Sequence, residues 1–181
     1  MLKIEQSVLV VIDVQGKLAS MMHDANYLRH VQGMMKAAKL LGVPIIITEQ
    51  SPQKIGGTVK EIRAMAPEVE PIPKETFSCC LEPVFMDALT LLRRKQVIVT
   101  GIEAHVCVYQ TVRELLKAKF EVYVLADAVS ARAAVNKEIG LHRCQQEGAV
   151  LTTLEMTVTE LLVSTKHPKF RDVMALLKEN K

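Results

Sequence analysis

Three residues of the chain belong to types that together support nucleophilic catalysis. Asp13 ends the apolar run SVLVVID, Lys74 lies in the stretch PIPKETF, and Cys107 lies in TGIEAHVCVYQTV. The thiolate is the reactive form of cysteine, and a lysine ammonium or a helix N-terminus favours it, so a lowered pKa is expected for Cys107. A carboxylate within hydrogen-bonding reach can accept the thiol proton and return it to a leaving amine. These types fit acyl transfer from a small amide through a thioester.

Each of the three residues also has an ordinary structural interpretation. Free cysteine is among the most buried residue types and commonly packs in a core. Asp13 could cap the end of a strand, and Lys74 could be a surface lysine. Against the core interpretation, Cys107 lies off the apolar row of its predicted helix. Its side of that helix carries polar residues: Gln110, Thr111 and Glu114. The residues alone leave both interpretations open.

Length and composition predict one globular domain over residues 1–181. The chain is 49% hydrophobic and 24% charged, as expected for a folded protein with a sizeable core. No apolar run approaches the roughly 20 residues that span a bilayer, so no membrane partner is expected. The N-terminal apolar run is short, ends in Asp13 and lacks a small-residue cleavage site, which indicates a first strand rather than a signal peptide.

Charge and cysteine content narrow the classes of protein further. The net charge is only +3, and aromatic residues make up 4% of the chain, with no Trp. Nucleic-acid-binding proteins usually concentrate basic residues and offer aromatic stacking surfaces, so this class is a weak alternative based on the pI of about 8.7. The four cysteines show no secretory pattern, and free thiols in the cytoplasm are expected.

Short apolar runs alternate with helical patterns along the chain. The runs are continuous rather than alternating, which is typical of parallel strands covered on both faces. Strands are predicted at 7–13, 43–49, 95–101, 121–127 and 148–154, with a weaker edge strand within 68–77, where prolines cannot donate ladder hydrogen bonds. Helices are predicted at 27–42, 81–95, 105–119, 134–147, 155–163 and in the tail from Pro168.

This alternation predicts an α/β fold with a doubly wound, mostly parallel, six-stranded sheet in the Rossmann-like order 3-2-1-4-5-6, with helices on both faces. Ligands bind such sheets at the carboxyl ends of the strands where the winding reverses, here between the first and fourth strands. Asp13 and Cys107 follow those strands. Lys74, two strands from the first, would start roughly 10 Å away and could reach the site with its long side chain.

Three separated stretches resemble the isochorismatase-like, or cysteine hydrolase, superfamily: VLVVIDVQ at 8–15, PKETFS at 73–78 and VTGIEAHVCVYQTVREL at 99–115. VLADAVSAR at 124–132 continues the likeness. The resemblance implies that Asp13 is the general acid/base, Lys74 supports the thiolate and transition state, and Cys107 is the nucleophile. It also implies a cis peptide between Ile102 and Glu103, an oxyanion hole formed by the backbone N–H groups of Glu103 and Cys107, and a homo-oligomer.

Departures from the family pattern narrow the expected chemistry. Nicotinamidases of this superfamily carry an Asp-x-His metal motif after the second strand, where this chain has ITEQSPQKIGG at 47–57. No metal and no cofactor are therefore expected. Isochorismatases cleave a vinyl ether and lack the cysteine, so the presence of Cys107 favours hydrolysis of a C–N bond. The likeness is strongest to small isochorismatase-domain proteins with TEQ and EAHVC.

Loop positions suggest Gln50 and Phe77 as hypothetical substrate-pocket residues, and the EAHVC turn adds His105. His105 is two residues before Cys107, and positions i and i+2 of a helix point apart, so substrate contact or capping is favoured over a Cys–His pair. The leading hypothesis is a metal-independent cysteine hydrolase of a small molecule. The alternatives are an isochorismatase-type hydrolase that does not need Cys107, a non-catalytic binding protein, and a protein acting on nucleic acid.

Overall fold

Six parallel strands form one sheet in the computed structural model, which describes residues 1–179. The strands are β1 (Ser7–Ile12), β2 (Ile45–Gln50), β3 (Ile72–Lys74), β4 (Gln96–Ile102), β5 (Glu121–Ser130) and β6 (Val150–Thr152). Their order is β3-β2-β1-β4-β5-β6. This confirms the predicted doubly wound order and the edge position of β3. The winding reverses between β1 and β4, as expected.

Helices connect the strands and cover both faces of the sheet. Within the described residues they are α1 (Gly16–Ser20), α2 (Asn26–Leu41), α3 (Pro52–Ile55), α4 (Lys60–Arg63), α5 (Pro83–Leu91), α6 (Tyr109–Lys117), α7 (Ala134–Gln146), α8 (Leu154–Leu162) and α9 (Phe170–Glu179). Short 3₁₀ turns lie at Ile4–Gln6 and Cys79–Leu81, and a π-helical turn lies at Ala104–Val108.

The central strands are buried on both sides, which explains their continuous apolar sequences. Successive side chains of a strand point to opposite faces. Leu9 and Val11 of β1 therefore pack with α2, α8 and α9, whereas Val8 and Val10 pack with α5, α6 and α7. All residues of β1 and β4 are buried. The site at their carboxyl ends is thus attached to the most rigidly packed part of the sheet.

The structure differs from the predicted elements mainly in the connections. The loops at 14–26 and 50–66 contain the short helices α1, α3 and α4, whose four or five residues are too few to show a helical period. β5 continues to Ser130, three residues beyond its predicted end at 127, and its pairing with β4 shifts register near Gly101. The helix predicted from 105 begins as the π-helical turn at Ala104–Val108 before α6.

None of the helices described in residues 1–179 combines the length and apolar composition that a membrane crossing requires.

Candidate active site

A buried ion pair lies at the carboxyl end of β1. The Lys74 Nζ is 2.7 Å from Asp13 Oδ2, and each side chain is only 1% exposed. Burial alone would lower the pKa of Lys74, but the nearby Asp13 carboxylate and the thiols of Cys79 and Cys107 raise it above its ordinary value. Lys74 therefore remains an ammonium at neutral pH. The long side chain covers the gap between edge strand β3 and β1, as the sequence predicted.

The backbone around Asp13 is shaped to present its carboxylate. Asp13 has a left-handed conformation with φ of 53°, which aspartate adopts more readily than most side chains. Across from it, Gly101 of β4 has φ of 113°, and a Cβ there would lie 2.0 Å from the carbonyl oxygen of Ile12. Only glycine allows this approach. β1 and β4 are therefore in close contact where their ends meet the site.

Lys74 is surrounded by oxygen acceptors that hold its ammonium in place. Besides Asp13, its Nζ donates to Gln50 Oε1 at 2.7 Å and to the carbonyl oxygens of Thr76 at 3.1 Å and Phe77 at 3.3 Å. The backbone of Gln50 is itself fixed by Gln15, whose Oε1 accepts from the Gln50 N–H at 2.6 Å. This ring of acceptors prevents the ammonium from moving away from Asp13.

Cys107 lies in the π-helical turn that follows β4, and the structure places its thiol against the ion pair. Its side chain is buried, and its thiol lies close enough to Asp13 and Lys74 to interact with both charges. Single π-helical turns occur frequently at functional sites. Asp13, Lys74 and Cys107 are thus brought together, although each lies at or just beyond the end of a different strand.

The expected lowered pKa of Cys107 is wrong for this arrangement. Burial raises the pKa of the Cys107 thiol above its ordinary value, the Asp13 carboxylate raises it further, and Lys74 offsets only part of this. The physical reason is that the Lys74 charge is already paired with Asp13. A thiolate would be a second buried anion beside one cation. Cys107 is therefore a protonated thiol with its proton acceptor already in contact.

Glu103, at the start of the turn, makes a second ion pair. The peptide bond between Ile102 and Glu103 is cis. The Glu103 carboxylate accepts from the backbone N–H of Arg132 at 3.0 Å and lies 3.0 Å from its guanidinium Nη2. Burial alone would raise the pKa of Glu103, but the hydrogen bonds and charge of Arg132 lower it below the ordinary value. The side chain of Glu103 thus ties the end of β4 to the end of β5.

The three hypothetical pocket residues have different surroundings. Gln50 uses its side-chain oxygen to bind Lys74, so it supports the ammonium. The carbonyl oxygen of Phe77 accepts a hydrogen bond from Lys74, while the residue is 55% exposed. The Nδ1 of His105 is buried and has no hydrogen-bond partner within the described residues. Of these three residues, His105 thus has an unpartnered side-chain nitrogen and Phe77 an exposed apolar surface.

Two residues next to the trio were missed by the sequence analysis. The Thr48 Oγ1 donates to Asp13 Oδ1 at 2.7 Å, and the Cys79 Sγ lies 3.7 Å from Thr48 Oγ1. Thr48 is the first polar residue after the apolar run VPIII, a weak sign of a strand end that faces a site. Cys79 gave no sign, because only the fold brings it to Thr48.

Glu49 occupies part of the stretch where nicotinamidases carry metal ligands. Its Oε1 accepts from both the backbone N–H and the hydroxyl of Thr58, each at 2.6 Å. The carboxylate therefore holds the loop that pairs with residues 14–16, which follow β1. Across residues 1–179, no three His, Cys, Asp or Glu side chains are grouped as metal ligands would be.

Comparisons with known proteins agree with this architecture. The family model described as Isochorismatase domain matches residues 7–156. The secreted isochorismatase effector Isc1 from Phytophthora sojae (strain P6497) is 36% identical over 185 residues, covering 96% of this chain and 85% of that protein. Isochorismatase domain-containing protein 2 from Danio rerio is 34% identical over 172 residues, covering 94% of this chain and 86% of that protein.

Solved structures show the same fold. MAR1 ribonuclease from Caenorhabditis elegans has a TM-score of 0.90 and 36% sequence identity, covering 98% of this chain and 92% of that chain. The YcaC gene product from Escherichia coli, described as an octameric hydrolase of unknown specificity, has a TM-score of 0.86. It is 22% identical and covers 99% of this chain and 97% of that chain, so it supports the fold alone.

Proposed function

The chain belongs to the isochorismatase family, and we propose that it is a hydrolase that cleaves a small amide or related carbonyl compound with Cys107 as the nucleophile. The observation that supports this most is the contact between the Cys107 thiol and a carboxylate already paired with Lys74. A nucleophile, its proton acceptor and an adjacent cation are the parts that covalent hydrolysis needs. In the proposal these parts come from residues 8–15, 73–78 and 99–115, the stretches on which the resemblance rests.

In the proposed first half-reaction, Asp13 takes the proton of the Cys107 thiol as the sulfur attacks the substrate carbonyl carbon. The carbonyl π electrons move to its oxygen, and the backbone N–H groups of Glu103 and Cys107 stabilise the oxyanion. When the intermediate collapses, the C–N bond breaks and Asp13 returns its proton to the leaving amine. The product is a thioester on Cys107 and a free amine.

In the second half-reaction, Asp13 accepts a proton from a water molecule, whose oxygen attacks the thioester carbon. The C–S bond then breaks, a carboxylic acid leaves, and the sulfur recovers a proton from Asp13. Lys74 keeps its proton throughout and offsets the negative charge that moves between sulfur and carboxylate. Because the resting thiol is protonated, the attack requires transfer of its proton to Asp13.

Metal independence is part of the proposal. It is supported by two observations. The chain lacks the Asp-x-His motif, and the Glu49 carboxylate in that stretch is already hydrogen-bonded to Thr58. For the substrate pocket, His105 is the best-supported residue, since its unpartnered Nδ1 can bind a polar group of the substrate. Phe77 offers an apolar surface at the rim, and Gln50 acts through Lys74.

The proposal also includes a homo-oligomeric state and a cytoplasmic location. A homo-oligomer is supported by apolar side chains that are more than half exposed on α7, namely Val135 and Ile139. Light scattering during size exclusion tests it, and a monomer at micromolar concentration would contradict it. A cytoplasmic location is supported by the four free cysteines, although one relative is named as a secreted effector.

The experiment that tests the proposed hydrolase compares Cys107→Ala with Cys144→Ala across a panel of small amides. Cys144 is also buried and packs in the same apolar cluster, so its loss controls for general damage. We expect Cys107→Ala to reduce turnover about 10³-fold or more, and Cys144→Ala to keep it within about threefold. Full turnover by Cys107→Ala would instead support the isochorismatase-type reaction, and no turnover by the wild type on any compound would support a binding protein.

A second candidate function is cleavage of RNA. It is favoured by the 36% identity to the structure named MAR1 ribonuclease. The weak net charge of +3 and the 4% aromatic content argue against it. Incubation with single-stranded RNA at low salt separates the two candidates. Cleavage that disappears in Asp13→Asn would support the ribonuclease, whereas cleavage unchanged in that variant would indicate a contaminant.

A further inference from the structure

Both oxygens of the Asp13 carboxylate have their own donor. Oδ2 accepts from Lys74 Nζ at 2.7 Å, and Oδ1 accepts from Thr48 Oγ1 at 2.7 Å. Thr48 is fully buried and lies beside Asp13 through the pairing of β1 with β2, in which Ile12 is opposite Thr48. A carboxylate held at both oxygens cannot rotate freely, so the direction of its remaining lone pairs is fixed.

Cys79 determines which way the Thr48 hydroxyl points. The Cys79 Sγ lies 3.7 Å from Thr48 Oγ1, and Cys79 is fully buried. Burial and the Asp13 charge raise the pKa of the Cys79 thiol to about 11, so this thiol is protonated at neutral pH and acts as a donor. With its oxygen accepting from Cys79, the hydroxyl of Thr48 directs its single proton to Asp13.

Cys79 is also hydrogen-bonded to α6, the helix that follows the turn containing Cys107. Its backbone N–H donates to Thr111 Oγ1 at 3.0 Å. Thr111 is fully buried and follows Cys107 by four residues, so the two lie on one side of the helical segment. Thr111, one of the polar residues on the Cys107 side of this helix, therefore links the helix to the backbone of Cys79.

We infer that Cys79 and Thr48 form a hydrogen-bonded chain that positions Asp13 to exchange a proton with Cys107, an inference that rests on the proposed function. Neither residue touches the substrate, so both are positioning residues that act through Asp13. Their effect is to keep one carboxylate lone pair directed at the Cys107 thiol and, later, at the hydrolytic water. Proton transfer is sensitive to such alignment, since a misplacement of about 1 Å can cost about 10²-fold in rate.

The test uses p-nitrophenyl acetate, a small carbonyl compound whose p-nitrophenolate product is followed by absorbance. Wild type is compared with Thr48→Val, Thr48→Ser, Cys79→Ala, Cys79→Ser and Cys107→Ala. Thermal unfolding confirms that each variant is folded. Thr48→Val keeps the shape of the side chain and removes the donor, whereas Thr48→Ser keeps the hydroxyl.

We expect Thr48→Val to lower kcat by about tenfold or more with KM within about twofold, and Thr48→Ser to stay within about threefold of wild type. Cys79→Ala should lower kcat by about threefold, and Cys79→Ser should restore it. A wild-type kcat in Thr48→Val, or an equal loss in Thr48→Ser, would overturn the inference. If Thr48→Val does not fold, equal kcat values for Cys79→Ala and wild type overturn it.

The same assay separates this inference from the proposed function. Loss of release in Cys107→Ala together with full release in Thr48→Val rejects the positioning chain and leaves the cysteine hydrolase intact. Full release in Cys107→Ala rejects both, because there would be no proton transfer from Cys107 for Thr48 to support.

Discussion

Two carboxylate–cation pairs lie at the carboxyl ends of neighbouring strands, and their surroundings differ sharply. In the Asp13–Lys74 pair both side chains are 1% exposed, whereas in the second pair the Glu103 side chain is 8% exposed and the Arg132 side chain 56%. Asp13 divides its oxygens between two residues, Lys74 and Thr48. Glu103 receives both backbone and side-chain donors from Arg132 alone.

The difference supports the proposal that the Asp13 pair, and not the Glu103 pair, takes part in the reaction. Burying both members of an ion pair is costly and is weak support for a stabilising role. The Asp13 pair also contacts the Cys107 thiol, so charge can move between sulfur and oxygen beside a fixed cation. The two residues of the Glu103 pair bind each other and join the loops after β4 and β5, which is a structural role. The following predictions test this distinction, beginning with the largest effect.

Replacing each carboxylate by its isosteric amide should separate the two pairs most clearly. Asp13→Asn removes the proton acceptor, so turnover of p-nitrophenyl acetate above the Cys107→Ala background should fall about 10³-fold. Glu103→Gln changes only the side chain, because the expected oxyanion donor is its backbone N–H, and should lower turnover by less than about tenfold. Steady-state kinetics measures both. Equal losses would remove the functional distinction between the pairs.

Replacing each cation by methionine should show how differently the two ion pairs affect the free energy of unfolding. Lys74→Met leaves a buried carboxylate without its counter-charge and should reduce the free energy of unfolding by about 3–5 kcal/mol. Arg132→Met should have a much smaller effect, because Glu103 keeps the backbone N–H of residue 132. Urea denaturation at neutral pH measures both variants. A larger loss in Arg132→Met would contradict the account of the two environments.

The pH dependence of alkylation should reveal the raised pKa of Cys107. Because burial and Asp13 raise this pKa, the rate with iodoacetamide should keep increasing beyond about pH 9.5, where an ordinary thiol levels off. Lys74→Met should slow the reaction by about threefold near neutral pH, since Lys74 lowers the pKa. Arg132→Met serves as the control. Peptide mass spectrometry measures the rate, and a plateau below pH 8 would show a lowered pKa instead.

The smallest expected effect is on acid stability. Arg132 lowers the pKa of Glu103, so this pair stabilises the fold above the unfolded value of about 4.3 and loses that contribution as pH falls through the lower folded value. The difference in melting temperature between wild type and Glu103→Gln should therefore shrink between about pH 6 and pH 3. A difference that widens on acidification would show that Glu103 is protonated more easily in the folded state.

Much of the architecture could be predicted from the sequence, because buried parallel strands have a simple signature. The continuous apolar runs around β1 and β4 indicated strands covered on both faces, and the reversal rule then placed Asp13 and Cys107 at one crevice. The short helices α1, α3 and α4 were missed because four or five residues carry no clear period.

The electrostatics of the site could not be predicted in the same way. A lysine and a helix start near a cysteine favour a thiolate only if the lysine charge is free, and the fold pairs Lys74 with Asp13. Thr48 and Cys79 are ordinary residues in sequence, and their importance comes from contacts between β2, the turn at 79–81 and α6. Such contacts depend on tertiary packing rather than on local pattern.

The central claim, that Cys107 carries the acyl group while Asp13 exchanges protons, is tested most directly by trapping the intermediate. Wild type and Asp13→Asn are mixed with p-nitrophenyl acetate, quenched in acid and digested for peptide mass spectrometry. We expect an acetyl group on Cys107 that forms more slowly in Asp13→Asn than in wild type and, once formed, persists longer, because Asp13 is the base in both half-reactions. An unmodified Cys107 in both proteins, with p-nitrophenolate still released by the wild type, would contradict the account.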